Sequence, residues 1–194
     1  MLFRSNVRQT NEAVVTELIP ALISLGEVQK ILQNLLHERV GIRDLTTILE
    51  TLADYAPRTK DLDALSEFAR AALARQICKQ YQDEDGVMRV ITLAPSLEQQ
   101  LREAVHPTQN GTLLAIDPPL AQALLRGLNS QIEEASRQGY NPALLCSGQI
   151  RLPLKRLVER SLPNLALIAY TEIVPRLEVE AIGNVEAEVS LSAV

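Results

Sequence analysis

Two different spacings of apolar residues divide the chain. Val28, Ile31, Leu32, Leu35 and Leu36 recur at i, i+3, i+4, i+7 and i+8, the period that places side chains on one face of an α-helix. Leu45, Ile48, Leu49, Leu52 and Ala53 repeat that spacing and predict a second helix. Ser24 and Glu27 have the separation of a capping box at the first start, Asp44 stands where it caps the second, and Pro57 stops that second helix. A short basic loop, Arg58-Thr59-Lys60, follows. From Asp61 a third helix is expected, turning Leu65, Phe68, Ala69, Ala72, Leu73 and Ile77 inward. Ahead of these, residues 12–19 suggest a short helix interrupted at Pro20, and residues 1–12 carry little pattern.

The acidic, glycine-containing run 82–86 marks the best boundary, and beyond it the period changes. Strands are expected at 87–93, 143–146, 165–170 and 177–185, with a weak one at 112–116. Between them the pattern predicts helices over 95–105, from Asp117 to near Gly139 on the face of Leu120, Leu124, Leu128 and Ile132, and over 152–162. The run His106 to Gly111 is expected to be a loop. Strands alternating with helices argue an at least partly parallel sheet. The fold class is therefore α+β overall: residues 1–20 as an arm or the end of a preceding subdomain, 21–86 as an all-helical subdomain, and 87–194 as a small α/β subdomain.

Composition narrows the function. At 46% hydrophobic and 22% charged, the chain has a globular balance, and its 3% aromatic content rests the core on Leu, Ile, Val and Ala. A net charge of −5 and a pI near 5.2 oppose a nucleic-acid partner, since phosphate binding needs clustered Lys and Arg. Acids outnumber bases on both sides of Gly86. Cys78 and Cys146 are expected as buried free thiols, which fits a reducing compartment. No signal peptide is recognisable, and no run approaches the ~20 apolar residues of a membrane span. The chain is expected to be soluble.

The search for chemistry returns few features. Neither a dinucleotide turn nor a phosphate loop is present, and no cofactor is implied. His37 and His106 have no second ligand at metal spacing, so both read as surface histidines and no metal site is expected. Ser147-Gly148 lacks the preceding glycine of a hydrolase elbow. Glu133-Glu134 and Asp83-Glu84-Asp85 could be offered as paired carboxylates, but they lie in polar rather than apolar surroundings and read as solvated charge. The expectation is a protein that is not an enzyme, with no catalytic residue. Arg151, Lys155, Arg156 and Arg160 form a basic stripe on one expected helix, a partner surface or simply a solvated face. Arg43-Asp44, Arg58 to Asp61, Arg70 and Arg75 set fixed charges of both signs at helix ends, as capping and surface pairing or as an orienting contact between subunits.

At these residues a resemblance becomes specific. Val40-Gly41-Ile42-Arg43-Asp44-Leu45, followed at its proper distance by Ala56-Pro57-Arg58-Thr59-Lys60-Asp61, resembles the signature of the major export-gate protein of type III secretion systems and flagella, the flagellar, hypersensitive-response and invasion protein export pore family. Arg70-Ala71-Ala72-Leu73-Ala74-Arg75-Gln76-Ile77-Cys78 continues the likeness, and a looser match runs through Leu154-Lys155-Arg156-Leu157, Leu162-Pro163 and Ala169-Tyr170-Thr171-Glu172-Ile173. Ala74 stands where the family often has glycine, and Ala169 where serine is common.

The resemblance implies a membrane-embedded parent protein with a cytoplasmic half of four subdomains that assembles into a ring, usually of nine subunits. This chain is similar to the last two subdomains, at the cytoplasmic face of the bacterial inner membrane. The chaperone cleft of the family lies between earlier subdomains. The implied partners are further copies of the chain, the stalk protein of the export ATPase and other export-apparatus components. Its implied task is to make the cytoplasmic ring and help route substrates to the export channel. Within it, Arg43, Asp44, Arg58, Lys60 and Arg75 are expected at or near the interface between copies. Two rivals stand beside this reading: an enzyme with its site at the carboxyl ends of the strands, and a monomeric cytosolic adaptor that binds a helical or acidic partner through Arg151, Lys155, Arg156 and Arg160.

Overall fold

The computed structural model describes residues 18–108 and 111–186. The expectations for residues 1–17 lie outside the described residues. The chain divides into two compact units, residues 1–77 and 78–194.

The first unit holds α1 (Leu25–His37), α2 (Leu45–Tyr55) and α3 (Leu62–Ala72), and α4 (Ala74–Tyr81) runs on from it into the second unit. The capping box forms as its spacing predicts. Glu27 N–H donates to Ser24 Oγ at 3.2 Å, and Ser24 N–H donates to Glu27 Oε2 at 2.7 Å. Asp44 caps α2 by accepting from Thr47 N–H, and Asp61 caps α3 by accepting from Asp63 and Ala64 N–H. Val28, Ile31, Leu32 and Leu35 pack inward with Ile48, Leu49, Leu52, Leu65 and Ala69. Leu36 is 51% exposed, because it follows Leu35 by 100° and falls off a stripe already filled by four side chains.

One expected helix is two. The backbone breaks at Leu73, whose N–H is shared between Ala69 and Arg70 carbonyls. The run Ala71-Ala72-Leu73-Ala74 contains no glycine or proline to signal this; Leu73 is itself buried, while Ala72, expected inward, is exposed. Beyond the break Gln76 Nε2 donates to the Gly41 carbonyl at 2.8 Å. A Cβ at Gly41 would meet Gln76 Nε2 at 2.8 Å, so the glycine makes room for this crossing.

In the second unit β1 (Val87–Leu93), α5 (Pro95–Glu103), β2 (Val105–Thr108), β3 (Gly111–Leu114), α6 (Pro118–Arg137), β4 (Ala143–Cys146), α7 (Gly148–Val158), β5 (Leu167–Ala169) and β6 (Glu178–Val185) follow in order. Four strands form an all-parallel sheet in the order β5-β4-β1-β6. Ile91, Leu144, Cys146 and Leu167 from the sheet meet Leu97, Leu124, Leu128, Ile150 and Leu154 from the helices in one core. The segment 82–86 is a tight turn. Asp83 Oδ1 accepts from Asp85 and Val87 N–H, and Gln82 bridges Met88, so the run of acids folds back on β1 instead of spacing two units apart.

Two expectations in this unit change. The supposed loop at His106 is half of a hairpin, with Val105 opposite Leu114 and His106 opposite Leu113. Pro107 is tolerated because a two-stranded ribbon has free edges. Helix α7 starts at Gly148, four residues before expectation, because Ser147 caps it through Gln149 N–H and Pro153 is carried inside. At the far edge, α6 lies close on β6: a Cβ on Gly127 would sit 2.8 Å from Val185 Cγ1. Cys78 and Cys146 are buried free thiols, as expected.

Candidate subunit interface

Helix α2 separates the charges singled out in the sequence into two groups. Arg43 and Asp44 enter its first turn. The Gln76–Gly41 hydrogen bond draws the neighbouring Arg75 to the same end. Arg58 and Lys60 leave its last turn, about 16 Å away at 1.5 Å per residue. All five are exposed. The structure thus brings three of them together at one end of the helical unit and the other two at the opposite end.

Each end is locally ordered. Asp44 uses both oxygens on Thr47, Oδ1 for the N–H at 3.1 Å and Oδ2 for the hydroxyl at 2.8 Å. At the other end the Arg58 guanidinium lies 5.5 Å over the Tyr55 ring, and that ring stacks on Phe68 at 4.0 Å. Lys60 Nζ donates to the Leu22 carbonyl at 2.5 Å. The hydrogen bonds of Ser24, first from its hydroxyl and then from its backbone N–H, hold the Glu27 carboxyl below its ordinary value, and the nearby Lys60 ammonium adds to this. An arginine parked on an aromatic stack presents its remaining donors in a fixed plane at reduced entropic cost, which suits a contact that sets orientation.

Beneath the first end lies an ion pair that sequence reasoning had scattered among surface charges. Arg70 is 4% exposed and its Nη1 donates to Glu38 Oε2 at 3.2 Å, joining α3 to the end of α1. The same helix end carries Arg39 at φ +60°, an uncommon place for a side chain. Its neighbours close the helix by two reverse hydrogen bonds, Val40 N–H to Leu35 O and Arg39 N–H to Leu36 O.

The basic stripe of the second unit does not hold together. Arg151 is fully buried and Lys155 is 7% exposed, donating from Nζ to the Leu165 carbonyl at 2.9 Å, whereas Arg156 and Arg160 are exposed. The reason is angular. Arg151 and Lys155 sit one residue after Ile150 and Leu154 and share their buried face, Arg156 is turned a further 100°, and Arg160 lies past the end of α7 at Val158. A helical wheel started at Ser147 would have separated Arg151 and Lys155 from Arg156.

At the carboxyl ends of the strands, where open α/β sheets receive ligands, the chain uses its own carboxylate. Glu98 Oε1 accepts the N–H of Ser147, the first residue past β4, at 2.6 Å. Tyr170, just past β5, has its phenol pushed up by burial and by the Glu98 carboxylate. Among the described residues no group of His, Cys, Asp and Glu could hold a metal ion, and no helix is long and apolar enough to cross a membrane.

Comparisons with known proteins bear on the family and the fold. The sequence profile of the FHIPEP family matches residues 2–178. The flagellar biosynthesis protein FlhA of Bacillus subtilis is 36% identical over 181 residues, covering 93% of this chain and 27% of that protein. Two solved structures share the fold: nonameric EPEC SctV-C, with a TM-score of 0.85 at 28% identity over 95% of this chain and 55% of that one, and the complex of the Chlamydia pneumoniae CdsV and CdsO proteins, with a TM-score of 0.83 at 30% identity over 94% and 54%. The chain spans about a quarter of the length of the curated relatives it matches.

Proposed function

Because the chain belongs to the FHIPEP family, we propose that it is a cytoplasmic module of the export gate that serves type III secretion and flagellar assembly, and that it acts by self-association, without catalysis. The observation that carries the reading is the family match across both units, joined to a relative of the same fold that is nonameric. A closed ring needs one patch to meet a different patch with a rotation that closes. The two ends of α2 supply unlike patches, Arg43, Asp44 and Arg75 at one and Arg58 with Lys60 at the other.

On this reading the parent protein is embedded in the bacterial inner membrane, and this chain stands at its cytoplasmic face. It helps route export substrates toward the channel. The CdsV and CdsO complex supports a partner from the export apparatus, and the stalk protein of the export ATPase is the one we assign.

The test is assembly of the entire cytoplasmic half carrying changes in this chain. Asp44→Asn keeps an oxygen for the Thr47 N–H and removes the charge, so it separates capping from contact. Asp44→Arg, Arg58→Glu and the double variant then probe complementarity. Loss of the ring with either reversal, at unchanged thermal stability of Asp44→Asn, supports the assignment. Full assembly in all of them removes these positions from the interface.

A further inference from the structure

The two edges of the parallel sheet differ. At one edge β5 is three residues long, and all three are buried. At the other β6 runs for eight residues, with Glu178, Glu180, Ala181 and Asn184 exposed along it. Among the described residues β6 pairs with β1 alone. The Val185 carbonyl accepts from Ala94 N–H at the end of β1, so the backbone groups of the preceding residue, Asn184, point to the open side. Helix α6 covers one face of β6, where Gly127 and Gly183 make room for Val185 and Gln131, and leaves the edge itself uncovered.

A row of unpaired N–H and C=O groups is a template for one more strand. Such edges are ordinarily blunted by shortness, lysine or proline, and β6 has none of these. Its one irregularity is a bulge at Ile182, between the paired positions Ala181 and Gly183. Charge decides what can join it. β6 carries no base, and Glu180 is already taken by Arg89 Nε at 3.0 Å. Glu178 opens the strand and Glu186 follows its last residue, about 26 Å away in an extended chain. Both are exposed, and among the described residues neither is in an ion pair; Arg176, the nearest base before the strand, pairs with neither. A second copy of β6 would add acids to acids with no base to offset them, and so would an acidic segment. A segment with Lys or Arg near both ends gains an opposite charge at each.

We propose that the open edge of β6 takes up an extended basic segment of a partner protein as a fifth strand of the sheet. Main-chain hydrogen bonds supply the affinity, and the two end carboxylates supply the choice of partner. The edge belongs wholly to the second unit and is independent of the α2 contacts, so the chain by itself is enough to test it.

The experiment is an NMR titration of the full chain with acetyl-Lys-Val-Thr-Val-Thr-Val-Thr-Lys amide. Beside it run the same peptide with Glu at both ends and the lysine peptide N-methylated at every internal amide, which cannot join a ladder. The expected result is saturable shifts and slowed hydrogen exchange at the amides of β6, Asn184 among them, with the lysine peptide bound at least about fivefold more tightly than the glutamate one and the methylated peptide not bound. Glu178→Gln together with Glu186→Gln reduces that preference to less than about twofold at an unchanged melting temperature, and added salt acts in the same direction. Equal binding of the lysine and glutamate peptides, binding of the methylated peptide, or no saturation would each overturn the proposal. So would protection of Asn184 that grows with chain concentration alone, since it would give the edge to a second copy.

Discussion

Helices α1 and α6 end in the same way, and the comparison yields a matched pair of predictions with opposite signs. In α6 the Tyr140 N–H reaches Ala135 O and the Gly139 N–H reaches Ser136 O, with Gly139 at φ +83°. In α1 Val40 N–H reaches Leu35 O and Arg39 N–H reaches Leu36 O, with Arg39 at φ +60°. The hydrogen bonds are the same, yet only one of the two left-handed positions is a glycine. A side chain in that conformation brings Cβ against the carbonyl, a cost of about 1–2 kcal/mol. Glycine at the same place loses about 0.5–1 kcal/mol through the wider freedom of its unfolded state. Arg39→Gly should therefore stabilise the first unit by about 0.5–1 kcal/mol, and Gly139→Ala should destabilise the second by a similar amount. For a chain of this length 1 kcal/mol corresponds to about 2–4 °C in melting temperature. Hydrogen exchange assigns each change to its unit, because slow amides of α1 to α3 follow the first variant and those of α6 and β1 the second. A destabilised Arg39→Gly protein with native circular dichroism would refute the reasoning, since it would mean that contacts of the exposed arginine outweigh the backbone strain.

Removing the buried Arg70 takes this ion pair from the partly buried Glu38, so Arg70→Ala should cost up to about 3 kcal/mol by urea denaturation, while Arg70→Met with Glu38→Leu recovers most of it. Glu27 has a lowered folded pKa, so the stability it contributes is present above its unfolded pKa of about 4.3 and disappears as pH falls through the folded value; Glu27→Gln should flatten the acid limb of the first unit's stability curve. Burial first, and the Glu172 carboxylate after it, push the Cys78 thiol up. Native protein at pH 8 should therefore leave both thiols unreacted with a disulfide reagent over minutes, and denaturant should release two equivalents. Rapid reaction of either thiol would place it at the surface.

Much of the architecture was legible where one local rule acted alone. The capping box at Ser24, the cap at Asp44, the start of a helix at Asp61, the stop before Pro57 and the buried strand at Ala143–Cys146 each depend on residues within a few positions of one another. Errors appeared where a distant partner chose between local alternatives. The break at Leu73 carries no sequence punctuation, and the hairpin at Val105–Thr108 needed its pairing with Gly111–Leu114 to count as more than a polar loop. Of the site, the exposed positions Arg43, Asp44, Arg58, Lys60 and Arg75 were readable from helix ends, but their sorting into two groups required the Gln76 bridge.

Periodicity and capping chemistry, which act over one or two helical turns, were enough to specify most of the elements, their order and the helical-then-parallel character of the chain. Which charges are buried was beyond their reach. Arg70 and Arg151 look in the sequence like Arg58 and Arg156, yet the first two lie inside and the latter two outside. The difference is set by the angle at which each helix meets its neighbours and by whether an acceptor waits there. A buried cation persists only where packing delivers that partner, so its fate is a property of the assembled units.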